Sequence, residues 1–239
     1  MTRARIIGVA GASGGVGASV FTVALGYRAC RRGVTTVCVD ARPLGGGLDV
    51  VLGVDHERGV RWPALQRAAG RLDGAALLTE LPTVDGLAIL SHDRGALPEV
   101  QRDSLRSVIL GLADCVDLLV IDLPARVDPS FGWWLQLIDD GLLVVGASPA
   151  ALAGAGAFAG SMPDDACRWW LVQRTPPRAA GLGETVAAAL GLPLLVEVTD
   201  DGRVVTDLRR GRTPGRRGLL AQVADKALGV LTRQVRRSA

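Results

Sequence analysis

Residues Gly11-Ala12-Ser13-Gly14-Gly15-Val16-Gly17-Ala18-Ser19 follow a short apolar run, Arg5 to Ala10, and lead into a helix-like stretch from Val20 to Arg32. A strand, a glycine loop and a helix in that order form a phosphate-binding context. Glycines let successive amides converge on an anion, and the N-terminus of the following helix adds about half a positive charge. Four glycines between positions 11 and 17 exceed what a tight strand-to-helix turn needs.

The alternation of short apolar runs with longer helix-like stretches continues outward from this loop. Strands are expected at about Arg5 to Ala10, Val34 to Asp40, Leu87 to Ser91, Asp117 to Leu123, Leu142 to Ala147, Arg168 to Gln173 and Leu194 to Val198. Helices fall between them, which predicts an α/β chain of three layers, a mostly parallel sheet with helices on both faces. Ser148-Pro149 has the form of an N-cap followed by proline at the first helical position, and Gly33 and Gly191 sit where helices should stop. Gly53 to Pro82 reads as a pair of short helices covering one edge. Residues 1–239 are expected to form one domain, with 211–239 a basic linker and a C-terminal amphipathic helix from Leu219 to about Val235.

Composition narrows the classes. The 239 residues carry 27 Lys+Arg against 24 Asp+Glu, and the formal charge of +3 is too small to imply a nucleic-acid partner. No apolar run reaches the ~18 residues of a membrane span, and the N-terminus leads into a strand pattern rather than a signal peptide, so a cytoplasmic protein is expected. Cys30, Cys38, Cys115 and Cys167 are widely spaced and only His56 and His92 accompany them, which supports buried free thiols over a zinc site. The one lysine is Lys226 and the one tyrosine Tyr27; the other 26 cations are arginines. A G+C-rich coding sequence explains exchange of Lys for Arg, but not loss of the charge itself.

Two chemistries use such a loop. Gly11-x-x-x-Gly15-x-Gly17 matches the spacing of short-chain dehydrogenases, with Asp40 closing the second strand where an acidic residue would hold a ribose. The Tyr-x-x-x-Lys pair of that family cannot be built from Tyr27 and Lys226, so only a non-catalytic NAD(P)-binding Rossmann protein survives on this branch. The second chemistry is that of P-loop NTPases of the ParA/MinD type, whose loop reads G-K-G-G-x-G-K-[ST]. The chain keeps Gly14-Gly15-Val16-Gly17 and the hydroxyl of Ser19, but Ser13 and Ala18 replace both lysines.

Later residues favour the second branch. Leu118-Leu119-Val120-Ile121-Asp122-Leu123-Pro124-Ala125 resembles the ParA/MinD Walker B strand, Asp40 to Asp49 resembles the switch segment, and Leu192 to Val198 resembles the late strand that lies near the adenine. Arg42 stands where a second switch aspartate is usual, and Gln173-Arg174 where an asparagine usually reads the base. With Leu44 to Asp49, Gly59 to Pro63, Asp73 to Leu77 and Leu90 to Gly95, the chain is similar to actinobacterial CpaE-like or septum-site-determining (Ssd) proteins, related to the TadZ/CpaE factors of Flp (Tad) pilus loci.

That resemblance implies a nucleotide site at Gly14, Gly15, Val16, Gly17, Ala18, Ser19, Asp40, Asp122 and Arg174, taking ATP or ADP, with Ser19 and Asp122 as the ligands of Mg²⁺. With Ser13 and Ala18 in place of both lysines, no catalytic residue is assigned and weak or absent ATPase activity is expected, against the alternative of an active partitioning ATPase. The expected role is placing a pilus or secretion machine, or a septum, at a pole or septum through protein contacts with a secretion ATPase or a polar or septal complex. A homodimer and a peripheral contact with the inner face of the membrane are included. Arg42, Arg126 and Arg174 follow strand ends and could restore the missing lysine charge. Trp169-Trp170 reads as core; Phe131-Gly132-Trp133-Trp134 reads as either core or a subunit interface. The last helix, with Leu220, Val223, Ala224, Ala227, Leu231 and Val235 between Arg216, Arg217, Arg233, Arg236 and Arg237, reads as either packed on the sheet or laid on a membrane surface.

Overall fold

The computed structural model of the chain describes residues 3–94, 100–163, 167–177 and 181–238, with side chains described up to residue 232. Gly95, and the side chains of Arg233, Val235, Arg236 and Arg237, lie outside that range.

The elements run in chain order as β1 (Arg5–Gly11), α1 (Ala18–Cys30), β2 (Thr36–Asp40), α2 (Leu48–Leu52), α3 (Trp62–Leu65), α4 (Gly74–Glu80), β3 (Thr83–Val84), β4 (Leu87–Leu90) and α5 (Arg102–Ala113). They continue as β5 (Leu118–Asp122), α6 (Phe131–Leu135), β6 (Asp140–Val145), α7 (Pro149–Gly160), β7 (Arg168–Thr175), α8 (Leu182–Leu190), β8 (Leu194–Thr199), α9 (Gly202–Arg209) and α10 (Leu219–Ser238). The eight strands form one sheet in the order β3-β4-β2-β5-β1-β6-β7-β8. All neighbours are parallel except β3, which pairs antiparallel with β4 at the edge.

Why the strands are nearly all apolar follows from this order. A parallel sheet needs crossover helices, these cover both faces, and successive side chains then enter opposite cores. Ile6, Val37, Leu119, Leu143 and Leu171 join a core with α4, α5, α7 and α8. Ile7, Cys38, Val120, Leu142 and Val172 join a core with α1, α2 and α10. Trp169 and Trp170 divide in the same way, as the strand reading required. Trp169 meets Phe158 edge-on at 5.1 Å, and the indole of Trp170 donates to Asp140 at 3.1 Å.

Sequence expectations are corrected in several places. The edge strand β3 and the helix α9 are additional to the expected elements, the short helices α2 and α6 lie between expected strands, and Gly53 to Pro82 does hold the two short helices α3 and α4. Among the cysteines only Cys38 is buried; Cys30, Cys115 and Cys167 are partly exposed, all four as free thiols. Trp134 is core: it is 2% exposed and meets Trp62 edge-on at 6.1 Å, because α6 turns it inward beneath α3. Trp133, on the same short helix, is partly exposed.

The last helix rests its apolar stripe on the protein. Leu220, Ala224, Ala227, Leu228 and Leu231 are buried against α1 and β8. Asp201 ties α9 to α10, because one carboxylate oxygen accepts from the amide of Arg203 and the other from that of Leu219.

Candidate functional site

The centre of the sheet places the glycine loop. β1 lies between β5 and β6, so the loop leaving it opens at the carboxyl edge where ligands bind in open α/β sheets. Gly15 and Gly17 have φ values of +75° and +95°, a backbone that side chains rarely adopt, and Gly17 is the N-cap of α1. No side chain caps this helix, so its first-turn amides stay open toward the loop. Ser13, Gly14 and Gly15 are exposed, whereas Val16 is buried and anchors the loop.

The register of β2 and β5 sets Asp40 beside Asp122 at this same edge. The two carboxylates do different work. Asp40 is 1% exposed and spends both oxygens on backbone amides: Oδ1 accepts from Arg42 at 2.9 Å and Oδ2 from Leu48 at 3.0 Å. It therefore folds the switch segment inward and, almost fully buried, is not presented to a ribose, which weakens the dinucleotide branch. Burial pushes the Asp40 carboxyl up to about 6, against the pull of its two amide hydrogen bonds. The Trp62 indole donates to the Asp40 carbonyl at 2.8 Å and closes this corner.

Asp122 keeps one oxygen free. Its Oδ2 accepts the Ser19 hydroxyl at 2.6 Å, while Oδ1 is buried without a partner among the described residues. Burial, the largest influence, raises its carboxyl to about 7, and the Ser19 hydrogen bond opposes that shift. A hydroxyl and a carboxylate with one orphaned buried oxygen form a hard oxygen donor set that fits Mg²⁺ together with phosphate oxygens and water. No group of three or more His, Cys, Asp or Glu that could hold a metal unaided occurs among the described residues.

Two of the three candidate arginines bracket the loop. Arg42 Nη1 reaches the Ser19 hydroxyl at 3.4 Å, and Arg174 donates to the Gly15 carbonyl at 3.2 Å while pairing with Asp200 at 2.5 Å. Arg126 turns away, donating to the Ser161 carbonyl at 2.8 Å and lying over the Phe131 ring at 5.3 Å. Ala18 is buried at the head of α1, so no cation rises from the position of the second loop lysine.

Beside the loop is a cavity of about 400 Å³, walled by Val16, Val172 and Val198 and by Val204 and Leu208 of α9, with Arg174 and Asp200 at its polar end. This apolar space next to a phosphate-type loop suits a planar organic group. The residues that sequence reading missed here are Asp200, Asp201 and the helix they open. Their signal was Thr199-Asp200-Asp201-Gly202, polar residues directly after a strand end, the same position that singled out the loop. Asp49 was quoted only as part of a motif. It is 1% exposed and held by Arg94 at 3.0 Å, and Arg94 also donates to the Gly46 carbonyl, which fastens the glycine run of the switch segment.

No family model matches the chain. In sequence it is 32% identical over 229 residues to an uncharacterized protein of Mycobacterium tuberculosis, covering 95% of this chain. The chain spans 64% of the length of that relative. It is 23% identical over 215 residues to the septum site-determining protein MinD of Synechocystis, covering 87% of this chain and 80% of that protein. Among solved structures, a ParA family ATPase from Chlorobium tepidum superposes with a TM-score of 0.82 at 18% identity, covering 95% of this chain and 98% of that one. MinD of Pyrococcus horikoshii, complexed with Mg-ADP, superposes with a TM-score of 0.79 at 18% identity, covering 99% of both chains. The chain is thus similar to MinD proteins in sequence and has the fold of the ParA and MinD structures.

Proposed function

We propose that the chain is a nucleotide-binding positioning protein of the CpaE/TadZ/Ssd type that turns over ATP weakly or not at all. The observation that carries this reading is the Ser19–Asp122 pair. Beneath an uncapped helix N-terminus and a left-handed glycine loop, it offers one orphaned carboxylate oxygen and no lysine. Loop amides and the start of α1 would hold the phosphates, and Ser19 and Asp122 would hold Mg²⁺, which neutralises phosphate charge. Arg42 and Arg174 would add positive charge from the two flanks, and the valine-lined cavity would take the base.

Hydrolysis asks for more. Developing charge on the transferred phosphoryl group must be neutralised and a water oriented, and a loop with Ser13 and Ala18 supplies neither lysine. A charge-assisted contact contributes ~1.5 to 3 kcal/mol, so loss of one lysine weakens triphosphate binding by roughly 10- to 150-fold without abolishing it. A bound nucleotide then serves as a structural switch for protein contacts, including a second copy of this chain and a secretion or septal complex. Support for that role comes from the CpaE-like motifs and from the relatives named as septum site-determining MinD proteins.

Calorimetric titration with ADP and ATP, with and without Mg²⁺, and phosphate release under the same conditions test the reading. Expected are Mg²⁺-assisted binding of both nucleotides and phosphate release at the level of the blank. Steady turnover that disappears in Asp122→Ala would establish the partitioning-ATPase alternative, and absence of nucleotide binding in all four titrations would remove the nucleotide from the proposal.

A further inference from the structure

The end of α1 and the turn between α9 and α10 enclose a second recess of about 300 Å³. Its walls share no residue with the cavity beside the glycine loop. Arg28, Arg31, Arg212, Arg216 and Arg217 face it, with Tyr27, and Asp207 is the one carboxylate in its described lining.

Three carboxylates meet these five cations. Arg28 pairs with Asp225 at 2.7 Å, Arg212 with Asp207 at 2.8 Å, and Arg216 with Asp85 at 2.9 Å while lying over the Tyr27 ring at 5.9 Å. Asp225 is further shared with Arg32 at 3.0 Å. Arg31 and Arg217 are exposed and have no ion-pair partner among the described residues. Arg212 faces the recess with one terminal nitrogen paired, its Nε being buried with no acceptor among the described residues.

An ordinary explanation covers only part of this. The negative end of the α1 dipole favours Arg28 and Arg31 at the last turn. It does not account for Arg212, Arg216 and Arg217, which come from a turn and converge on the same concavity. Like charges brought together around a concave surface call for an anion, and the planar guanidinium fork suits phosphate oxygens bidentately.

We propose that this recess binds a phosphate-class anion, with the surplus charge of Arg31 and Arg217 as its recognition elements. A volume of about 300 Å³ is at the small end of ligand pockets, which suits a phosphate or pyrophosphate group rather than a whole nucleotide. Such a group comes either from a soluble phosphorylated metabolite or from the headgroup of an acidic phospholipid.

Tyr27 makes the test specific, because it is the only tyrosine in the chain and lines the recess. Incorporating 3-fluorotyrosine places a single fluorine nucleus there, observable by ¹⁹F NMR at low ionic strength. The probes are sodium pyrophosphate, vesicles of phosphatidylglycerol and vesicles of phosphatidylcholine. A saturable shift is expected with pyrophosphate or with phosphatidylglycerol vesicles, the effective probe identifying the source, and none with phosphatidylcholine. The affinity is expected to fall at least tenfold in Arg31→Ala/Arg217→Ala, whose circular dichroism should match the parent since both side chains are exposed. It should stay within twofold in Arg42→Ala/Arg174→Ala, which separates the recess from the glycine loop. No saturable shift with either anionic probe, or an equal shift in the Arg31→Ala/Arg217→Ala protein, or loss confined to the loop variant, overturns the proposal.

Discussion

At the residue scale, Arg42 and Arg174 stand on opposite sides of a loop that carries no cation of its own. If they supply that charge, Arg42→Ala should weaken ADP binding by about tenfold, the loss of one charge-assisted contact. Arg174→Ala should weaken it less, because Arg174 is 41% exposed and already paired with Asp200. Unchanged affinity in both variants, measured by titration calorimetry, would show that the loop amides act alone. His92 offers a different readout. It stacks on Trp62 at 6.0 Å, its Nδ1 is buried without a partner among the described residues, and burial lowers its pKa to about 4. A histidine pKa depressed in the fold contributes stability that is present above about pH 6.5, the unfolded value, and is lost as pH falls toward 4. His92→Phe keeps the stacking and removes the titration. Relative to the parent it should gain on the order of 2 kcal/mol between pH 7 and pH 4 in urea unfolding. Parallel pH profiles would contradict the burial of a neutral imidazole.

Between elements, backbone proximity decides what sequence patterns leave open. A Cβ at Gly74 would lie 1.8 Å from the Gly111 carbonyl oxygen, so α4 and α5 meet through two glycines with no flexible side chain to yield. Gly74→Ala should cost ~1 to 3 kcal/mol by forcing these helices apart, although the Asp73 cap of α4 remains. Thermal unfolding measures this, and a change within error would mean the helices separate freely. Trp134 illustrates the opposite case, a side chain whose partner comes from a distant element. Trp134→Ala should cost ~3 to 5 kcal/mol and leave the oligomeric mass unchanged, since the ring packs on Trp62 inside the fold. Trp134→Phe should cost far less, because it also removes an indole nitrogen that is buried without an acceptor among the described residues. A fall in oligomeric mass in the alanine variant would restore the interface reading. The periodicity of residues 131–135 did not separate these cases, because a five-residue helix is too short to show which face is apolar.

At the scale of the whole molecule, the packing of α10 bears on whether this helix is free to lie on a membrane surface. Its apolar stripe through Leu231 is spent on α1 and β8, and no described helix is long and apolar enough to cross a bilayer. In flotation with phosphatidylglycerol vesicles the protein should therefore remain below the vesicle layer at physiological salt, any contact being limited to headgroup charges. Salt-resistant flotation would mean that α10 leaves the sheet. The strand-loop-helix at the chain start, the all-apolar central strands and the aspartate closing β5 were legible in the sequence. A parallel sheet covered on both faces imposes those patterns locally, through side-chain alternation and through glycines at positive φ. Only the tertiary structure decided which of two adjacent carboxylates keeps a free oxygen. It also decided that α9 walls a cavity, and that arginines from positions 28 to 31 and 212 to 217 share one recess. Each of these depends on residues far apart in the chain meeting across a strand register or a helix packing angle, and no local period encodes that distance.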